Sequence, residues 1–149
     1  METTLNKRSI FHLSEKRREI IFDAITFIFI MLFIYTAASK IMTFASFEKV
    51  LGRAPLIGQF NTLIAYLIPT IESIISIILL FNSTKRIGLL LSLGLMIIFT
   101  IYLIYMISLG VPLPCHCGGV ISLLTWKQHI AFNLVFIVLA ILGLKIYRK

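Results

Sequence analysis

Four long runs of apolar residues, separated by short polar segments, dominate the sequence. They cover residues 20–40, 63–81, 87–109 and 129–147. A helix of about 20 apolar residues crosses the roughly 30 Å of hydrocarbon in a bilayer. The runs are continuously apolar, whereas strands of a membrane β-barrel alternate apolar and polar positions. Because short connections make consecutive helices antiparallel neighbours, we predict an all-α integral membrane protein, an antiparallel four-transmembrane-helix bundle over residues 20–147.

The segment after the first run has its own apolar pattern. Ile41, Phe44, Phe47 and Leu51 recur at spacings of three and four, with charged residues between them. This spacing is typical of a short helix that lies in the membrane interface. Continuation of the first span, tilted into the headgroup region, is an equally good interpretation.

Composition agrees with a membrane protein. Hydrophobic residues make up 59% of the 149 positions and charged residues only 13%, and the mean hydropathy is +1.01. Apolar side chains thus outnumber the sites that one small core can bury, which argues against a soluble or disordered chain. We expect the remaining apolar side chains to contact membrane lipid, which is therefore a predicted partner. The net charge of +8 does not indicate nucleic-acid binding, because the basic residues flank the apolar runs and no nucleic-acid motif is present.

The distribution of Lys and Arg predicts the orientation. The basic tail at residues 1–19, the second loop and the C-terminus together hold ten of these residues, whereas the first and third loops hold four. Basic residues are enriched on the cytoplasmic side. We therefore expect both termini in the cytoplasm of a bacterial inner membrane, with residues 1–19 as a cytoplasmic tail and the third loop in the periplasm.

This third loop contains both cysteines of the chain, Cys115 and Cys117, with His116 between them. A disulfide between Cys115 and Cys117 would close a very short ring, which adds little stability. The strain in this ring makes the disulfide comparatively easy to reduce. His116, or His129 from the next helix, is a candidate for activating a thiol. A redox-active disulfide is the leading interpretation; a structural bond, inert thiols or a Cu(I) site on the two thiolates stay open. No other metal is expected.

Polar residues inside the spans form a second candidate site. Glu72 lies deep in the second run, Lys40 ends the first, and Asn133 follows His129 by one helical turn. We expect Lys40 to pair with Glu72 and the cluster to face the bundle interior, beneath the cysteine loop. Two interpretations stay open: the cluster fixes helix register, or it belongs to a ligand pocket or proton path.

In the order of these parts the chain resembles the MauE and DoxX-like family of four-helix bacterial inner-membrane proteins. The resemblance rests on Ala38-Ser39-Lys40 before an amphipathic segment, Pro69-x-x-Glu72, and Cys115-x-Cys117-Gly118 before a span that opens near His129 and Asn133. It implies, for the MauE branch, a part in disulfide formation or maturation of an exported partner, often with a thioredoxin-like protein. In this chain the loop departs from the Cys-x-Cys-Phe-Gly pattern that is common in MauE-like proteins. The partner therefore need not be the dehydrogenase of methylamine utilisation, the pathway after which MauE is named.

The leading functional hypothesis is a membrane thiol–disulfide redox protein. Cys115 and Cys117 would exchange with a periplasmic thiol or thioredoxin-like protein, and a quinone near Glu72 and Lys40 is a candidate electron acceptor by analogy with other four-helix membrane proteins. One alternative is a non-enzymatic membrane subunit of a larger export, receptor or respiratory complex. Another is a small transporter or copper handler that uses Glu72. Whether the protein is an enzyme therefore stays open.

Overall fold

A computed structural model describes residues 15–54, 57–110 and 125–147; most of these residues are helical and none is in a strand. The elements are α1 (Glu15–Met42), α2 (Phe44–Gly52), a 3₁₀ turn (Gly58–Phe60), α3 (Asn61–Leu80), α4 (Lys85–Ser108) and α5 (Trp126–Tyr147). Four of these helices are long and apolar enough to cross a membrane. The all-α class with four candidate transmembrane helices is confirmed. The interfacial position of α2 and the antiparallel order of the spans stay predictions.

Large apolar side chains cover much of the outer surface of the four long helices. Each helix carries several such side chains that are half exposed or more. Examples, two from each helix, are Phe27, Met31, Leu63, Ile77, Ile98, Ile101, Leu134 and Val138. Water would oppose such a surface strongly, whereas lipid tails are as apolar as the side chains themselves. The outer faces are thus suited to a lipid environment.

The core between the helices is built from aromatic and aliphatic side chains. Phe29 and Phe33 of α1, Leu79 of α3 and Leu89 of α4 are almost completely buried, and Phe29 meets Phe136 of α5 edge to face with ring centroids 5.3 Å apart. Such an arrangement is a favourable aromatic geometry. These contacts join all four long helices in one core.

Two glycines let the helices approach one another closely. A Cβ at Gly88 of α4 would lie 2.8 Å from Leu79 Cδ2, and one at Gly143 of α5 would lie 2.8 Å from Leu89 Cδ2. Small residues at helix contacts are the usual means of close packing in membranes, where the hydrophobic effect does not drive association. A larger residue at either position would require the leucine side chain or the helix to shift.

Buried hydroxyl groups are satisfied within their own helices. Thr26, Ser76, Ser92 and Thr100 each donate a hydrogen bond to the carbonyl oxygen four residues earlier, at 2.7–2.9 Å. A hydroxyl group left without an acceptor in an apolar interior costs on the order of a few kcal/mol. These residues are therefore compatible with the core without any partner from a neighbouring helix.

Polar contacts connect the helices at one end of the bundle. Arg18 of α1 donates to the carbonyl oxygen of Ile146 in the last turn of α5, with Nε at 3.2 Å. Lys85 in the first turn of α4 pairs with Asp23 of α1, with Nζ 2.7 Å from Oδ1. Asp23 is exposed at this end of the bundle, and its ion-pair partner is Lys85. The contacts place the start of α1 beside the end of α5 and the start of α4.

Helix α2 is a separate element that packs on α3. Residue Thr43 separates it from α1, and Phe47 and Leu51 are buried against Ala65. Phe44 stacks on Tyr66 with ring centroids 4.5 Å apart. The apolar spacing in this segment thus forms a short helix whose apolar face meets protein.

Candidate functional site: a polar cluster in an apolar cavity

A cavity of about 410 Å³ lies inside the helix bundle, with lining side chains from all five helices. Most of the wall is apolar. The apolar lining includes Leu32, Phe33, Phe47, Leu51, Ile64, Ile68, Ile71, Met96, Phe99, Leu103 and Phe132. Among the described residues, the polar lining is confined to Thr36, Lys40, Glu72, Tyr102, His129 and Asn133. A cavity of this size and character resembles sites for small molecules, which are mainly apolar with a few placed polar groups.

Lys40 and Glu72 form an ion pair in this wall. Lys40 Nζ donates to Glu72 Oε1 across 2.7 Å, and the side chains are only 6% and 2% exposed. Lys40 lies in the last turn of α1, and Glu72 lies in the middle of α3, three residues after Pro69. This is the contact expected from the sequence. The pair joins α1 to α3, and each charge compensates the other in a medium where an isolated charge is costly.

Helix α5 brings His129 and Asn133 to the same cavity. The residues lie one helical turn apart and are 7% and 4% exposed. The helix begins next to them, where the backbone N–H of Thr125 donates to Gln128 Oε1 across 2.9 Å. A Thr followed three residues later by Gln is a capping-box pattern, which defines a helix start. The capping box therefore places His129 in the first turns of α5, at the end of the bundle from which residues 111–124 connect α4 to α5.

Three polar atoms in this cluster are buried without a hydrogen-bond partner in the described part of the chain. They are Glu72 Oε2, His129 Nδ1 and Asn133 Nδ2. Buried polar groups nearly always have a partner, because leaving one unpaired costs about 1–3 kcal/mol. Three such atoms in one cavity wall make this cluster a candidate site for a bound molecule that would supply the missing hydrogen bonds.

The structure therefore brings Lys40, Glu72, His129 and Asn133 together around one cavity. The remaining candidate residues, Cys115, His116 and Cys117, lie outside the described residues, so their pairing and the Cu(I) alternative stay predictions. Within residues 15–54, 57–110 and 125–147, no three His, Cys, Asp or Glu side chains are grouped as metal ligands would be.

Sequence reasoning did not find the cavity itself or the part that α2 plays in it. Phe47, Val50 and Leu51 of α2 contribute to the wall. Their spacing indicates an apolar helix face, but nothing local says which surface this face will meet. Thr36, which lies one turn before Lys40, also lines the cavity.

Comparison with known proteins agrees with this architecture. The family model of the methylamine utilisation protein MauE matches residues 18–146. The matched range includes α2 through α4, nearly all of α1 and α5, and the four residues of the polar cluster. Neither the curated proteins nor the solved structures give a significant match. With the family model covering most of the sequence and four helices able to cross a membrane, the chain belongs to the MauE family and is a multi-pass membrane protein.

Proposed function

We propose that the protein is a thiol–disulfide redox protein of the bacterial inner membrane. Residues 1–19 and the C-terminus lie in the cytoplasm, residues 20–147 form the membrane domain, and Cys115 and Cys117 face the periplasm. The excess of Lys and Arg in the tail, the second loop and the C-terminus supports this orientation. The periplasm is an oxidising compartment in which disulfides form and persist.

One observation carries the proposal. The cluster of Lys40, Glu72, His129 and Asn133 lies in an apolar cavity beside the start of α5, to which residues 111–124 lead. At the other end of this loop, Gly110 follows α4 with a positive φ of 64°, a conformation that glycine adopts without strain. The two cysteines thus belong to the segment that leads into the helix start next to the polar cluster.

The proposed exchange converts two thiols of the partner into a disulfide and the Cys115–Cys117 disulfide into two thiols. A thiolate of the partner attacks one sulfur of the Cys115–Cys117 disulfide, and the other sulfur leaves as a thiolate, which gives a mixed disulfide. The second thiol of the partner then attacks the mixed disulfide. The partner is oxidised to a disulfide, and Cys115 and Cys117 are reduced to two thiols. His116 and His129 are the candidates for assisting thiolate formation.

The partner is an exported protein with a pair of thiols. It is either a thioredoxin-like protein or a protein whose disulfides form through a thioredoxin-like protein. The chemistry is compatible with this class, because a disulfide on a periplasmic loop reacts with a thiolate, and the MauE resemblance favours a thioredoxin-like partner. Each cycle leaves the two cysteines reduced, so continued activity requires a two-electron acceptor that restores the disulfide.

The test is to trap the mixed disulfide in cells. Cys115→Ser and Cys117→Ser variants are expressed separately, thiols are blocked by acid and alkylation, and adducts are separated on a non-reducing gel. One single variant should accumulate a covalent adduct that disappears on reduction. Its remaining thiolate attacks the disulfide of an oxidised partner, the reverse of the exchange above, and displaces one partner thiolate; the second cysteine of the chain, which would release the partner, is absent. Both variants are needed, since either sulfur is a candidate for attack.

The double variant Cys115→Ser/Cys117→Ser is the control and should give no adduct. Absence of an adduct from both single variants, with function retained, would contradict the proposal and favour a non-enzymatic membrane subunit. Loss of bound copper from either single variant, again without an adduct, would favour the copper handler.

A further inference from the structure

We propose that the cavity inside the bundle binds an apolar molecule of the quinone class, with its ring oxygens beside Lys40, Glu72 and Asn133. The inference rests on the proposed thiol–disulfide exchange, because that reaction needs a two-electron acceptor. It specifies the site that the acceptor occupies and the groups that hold it.

The size and lining of the cavity fit such a molecule. Small-molecule pockets have volumes of roughly 300–1,000 Å³, and this one has about 410 Å³. Phe33, Ile68, Phe99 and Leu103 are among its apolar walls, which suit a ring and the first units of an apolar tail. Of the described residues in its wall, six are polar and the rest are apolar, which suits an apolar molecule with a polar head.

The unpartnered atoms match the oxygens of both redox forms. Asn133 Nδ2 is a buried donor without an acceptor among the described residues, and a quinone carbonyl oxygen would accept from it. Glu72 Oε2 is a buried acceptor without a donor in the same part of the chain, and the hydroxyl group of a quinol would donate to it. The ammonium group of Lys40 has three N–H donors, of which one contact, to Glu72, is accounted for.

Charge in the wall favours an uncharged head group. Lys40 and Glu72 neutralise each other at 2.7 Å, so the pair offers no net positive charge to an anion. A lipid phosphate placed here would face the unpartnered carboxylate oxygen of Glu72 at low dielectric, where repulsion is strong. A neutral quinone meets no such opposition.

Electrons and protons balance in the step that the cavity would serve. The thiols of Cys115 and Cys117 lose two electrons and two protons, two S–H bonds break, and one S–S bond forms. The quinone takes up these two electrons and two protons and becomes a quinol with two O–H bonds. The quinol then leaves the cavity, and the restored disulfide can accept another pair of electrons from the partner.

The test measures binding of decylubiquinone to the full chain in nanodiscs of quinone-free phosphatidylcholine, with empty nanodiscs as the blank. We expect saturable binding with one quinone per chain. Asn133→Leu removes the donor, keeps the branched shape of the side chain and should weaken binding about fivefold to tenfold, the effect of one lost hydrogen bond.

A second pair of variants tests the location. Val50→Trp fills the cavity from α2 and should abolish saturable binding, since Val50 is part of the wall. Ser46→Trp is the matched control, because Ser46 is on the same helix but exposed and outside the wall; it should bind as the wild type does. Thermal unfolding of each variant verifies that it is folded.

Three results would overturn the inference: no saturable binding to the wild type, unchanged affinity in both Asn133→Leu and Val50→Trp, or displacement of the quinone by excess phosphatidylglycerol. The last result would assign the cavity to a phospholipid. Cys115→Ser/Cys117→Ser should bind decylubiquinone normally, because binding uses only the cavity. Failure of the cavity proposal therefore shows in these binding assays, whereas failure of the thiol exchange shows only in adduct trapping.

Discussion

Lys40 Nζ and Glu72 Oε1 are 2.7 Å apart, and the two side chains are 6% and 2% exposed. The pair formed by Lys85 and Asp23 has the same separation, but there the exposed fractions are 15% and 59%. Both pairs connect different helices. Because burial determines what an ion pair contributes, the two pairs provide a matched comparison within one protein.

Removing one partner of the buried pair should strongly destabilise the protein. Lys40→Met leaves the Glu72 carboxylate buried without compensation, which costs about 3–5 kcal/mol in the free energy of unfolding. The double variant Lys40→Met/Glu72→Gln removes both charges and should recover most of this loss. Lys85→Met should lower stability by no more than about 1 kcal/mol, because its partner Asp23 is mostly in solvent. Denaturant unfolding of the purified chains in detergent gives all three values.

Equal destabilisation by Lys40→Met and Lys85→Met would show that burial does not determine how much the Lys40–Glu72 pair contributes to the free energy of unfolding. A double variant no more stable than Lys40→Met alone would mean that the charges are not each other's main compensation.

Substitutions of Glu72 separate packing from chemistry. Glu72→Gln keeps the size of the side chain and an oxygen that accepts from Lys40, whereas Glu72→Ala leaves a void and an unpaired ammonium group. If Glu72 is a packing and hydrogen-bonding element, the Gln variant should retain more activity than the Ala variant. Activity is to be divided by the amount of protein in the membrane, measured by immunoblotting. If both variants are inactive at normal protein levels, Glu72 handles protons; if both equal the wild type, Glu72 has no part in the mechanism.

The connection between α2 and α3 should be sensitive to a single methyl group. A Cβ at Gly58 would lie 2.7 Å from the backbone oxygen of Gly52, which cannot rotate away, whereas at Gly94 of α4 no atom of the described chain lies within 4 Å. We expect Gly58→Ala to destabilise by about 1–3 kcal/mol through forced backbone movement. Gly94→Ala should be neutral or stabilise by up to about 1 kcal/mol, because alanine favours helix more than glycine does.

Thermal unfolding of the two alanine variants in the same detergent compares them directly. A Gly58→Ala protein as stable as Gly94→Ala would contradict the close approach of the two backbone segments. A loss of stability confined to Gly58→Ala would support it.

Reporter fusions test the orientation in the membrane. A reporter that is active only outside the cytoplasm should be silent when fused after Lys149 and active when fused in the third loop near Lys127. Protein amounts must be equal in both fusions. Activity at Lys149 and silence in the third loop would reverse the orientation and remove the cysteine loop from the periplasm.

Some of the site could be predicted from the sequence, because a charged side chain within an apolar span needs a compensating partner. Glu72 and Lys40 have opposite charges in neighbouring spans, and an apolar medium leaves pairing as the main way to accommodate both. His129 and Asn133 are four residues apart, so a helix necessarily puts them on one face. These constraints act locally or between adjacent spans.

Other features depend on tertiary packing that no local pattern encodes. Phe47 and Leu51 indicate an apolar face on α2, but their spacing does not say that this face meets Ala65 of α3. The contact of Asp23 with Lys85 joins residues 62 positions apart at the ends of separate helices. The cavity likewise results from how all five helices pack, and only the structure reveals it.

The decisive measurement is anaerobic oxidation of the reduced full chain by decylubiquinone in nanodiscs. The ring of this quinone is fully substituted, so thiols cannot add to it. We expect loss of two thiols and formation of one quinol per chain, detected by maleimide mass shift and by absorbance, with slower reaction in Asn133→Leu. Cys115→Ser, which cannot form the internal disulfide, should form no quinol. Persistence of both thiols in the wild type with excess quinone bound would contradict an electron path from Cys115 and Cys117 to the cavity.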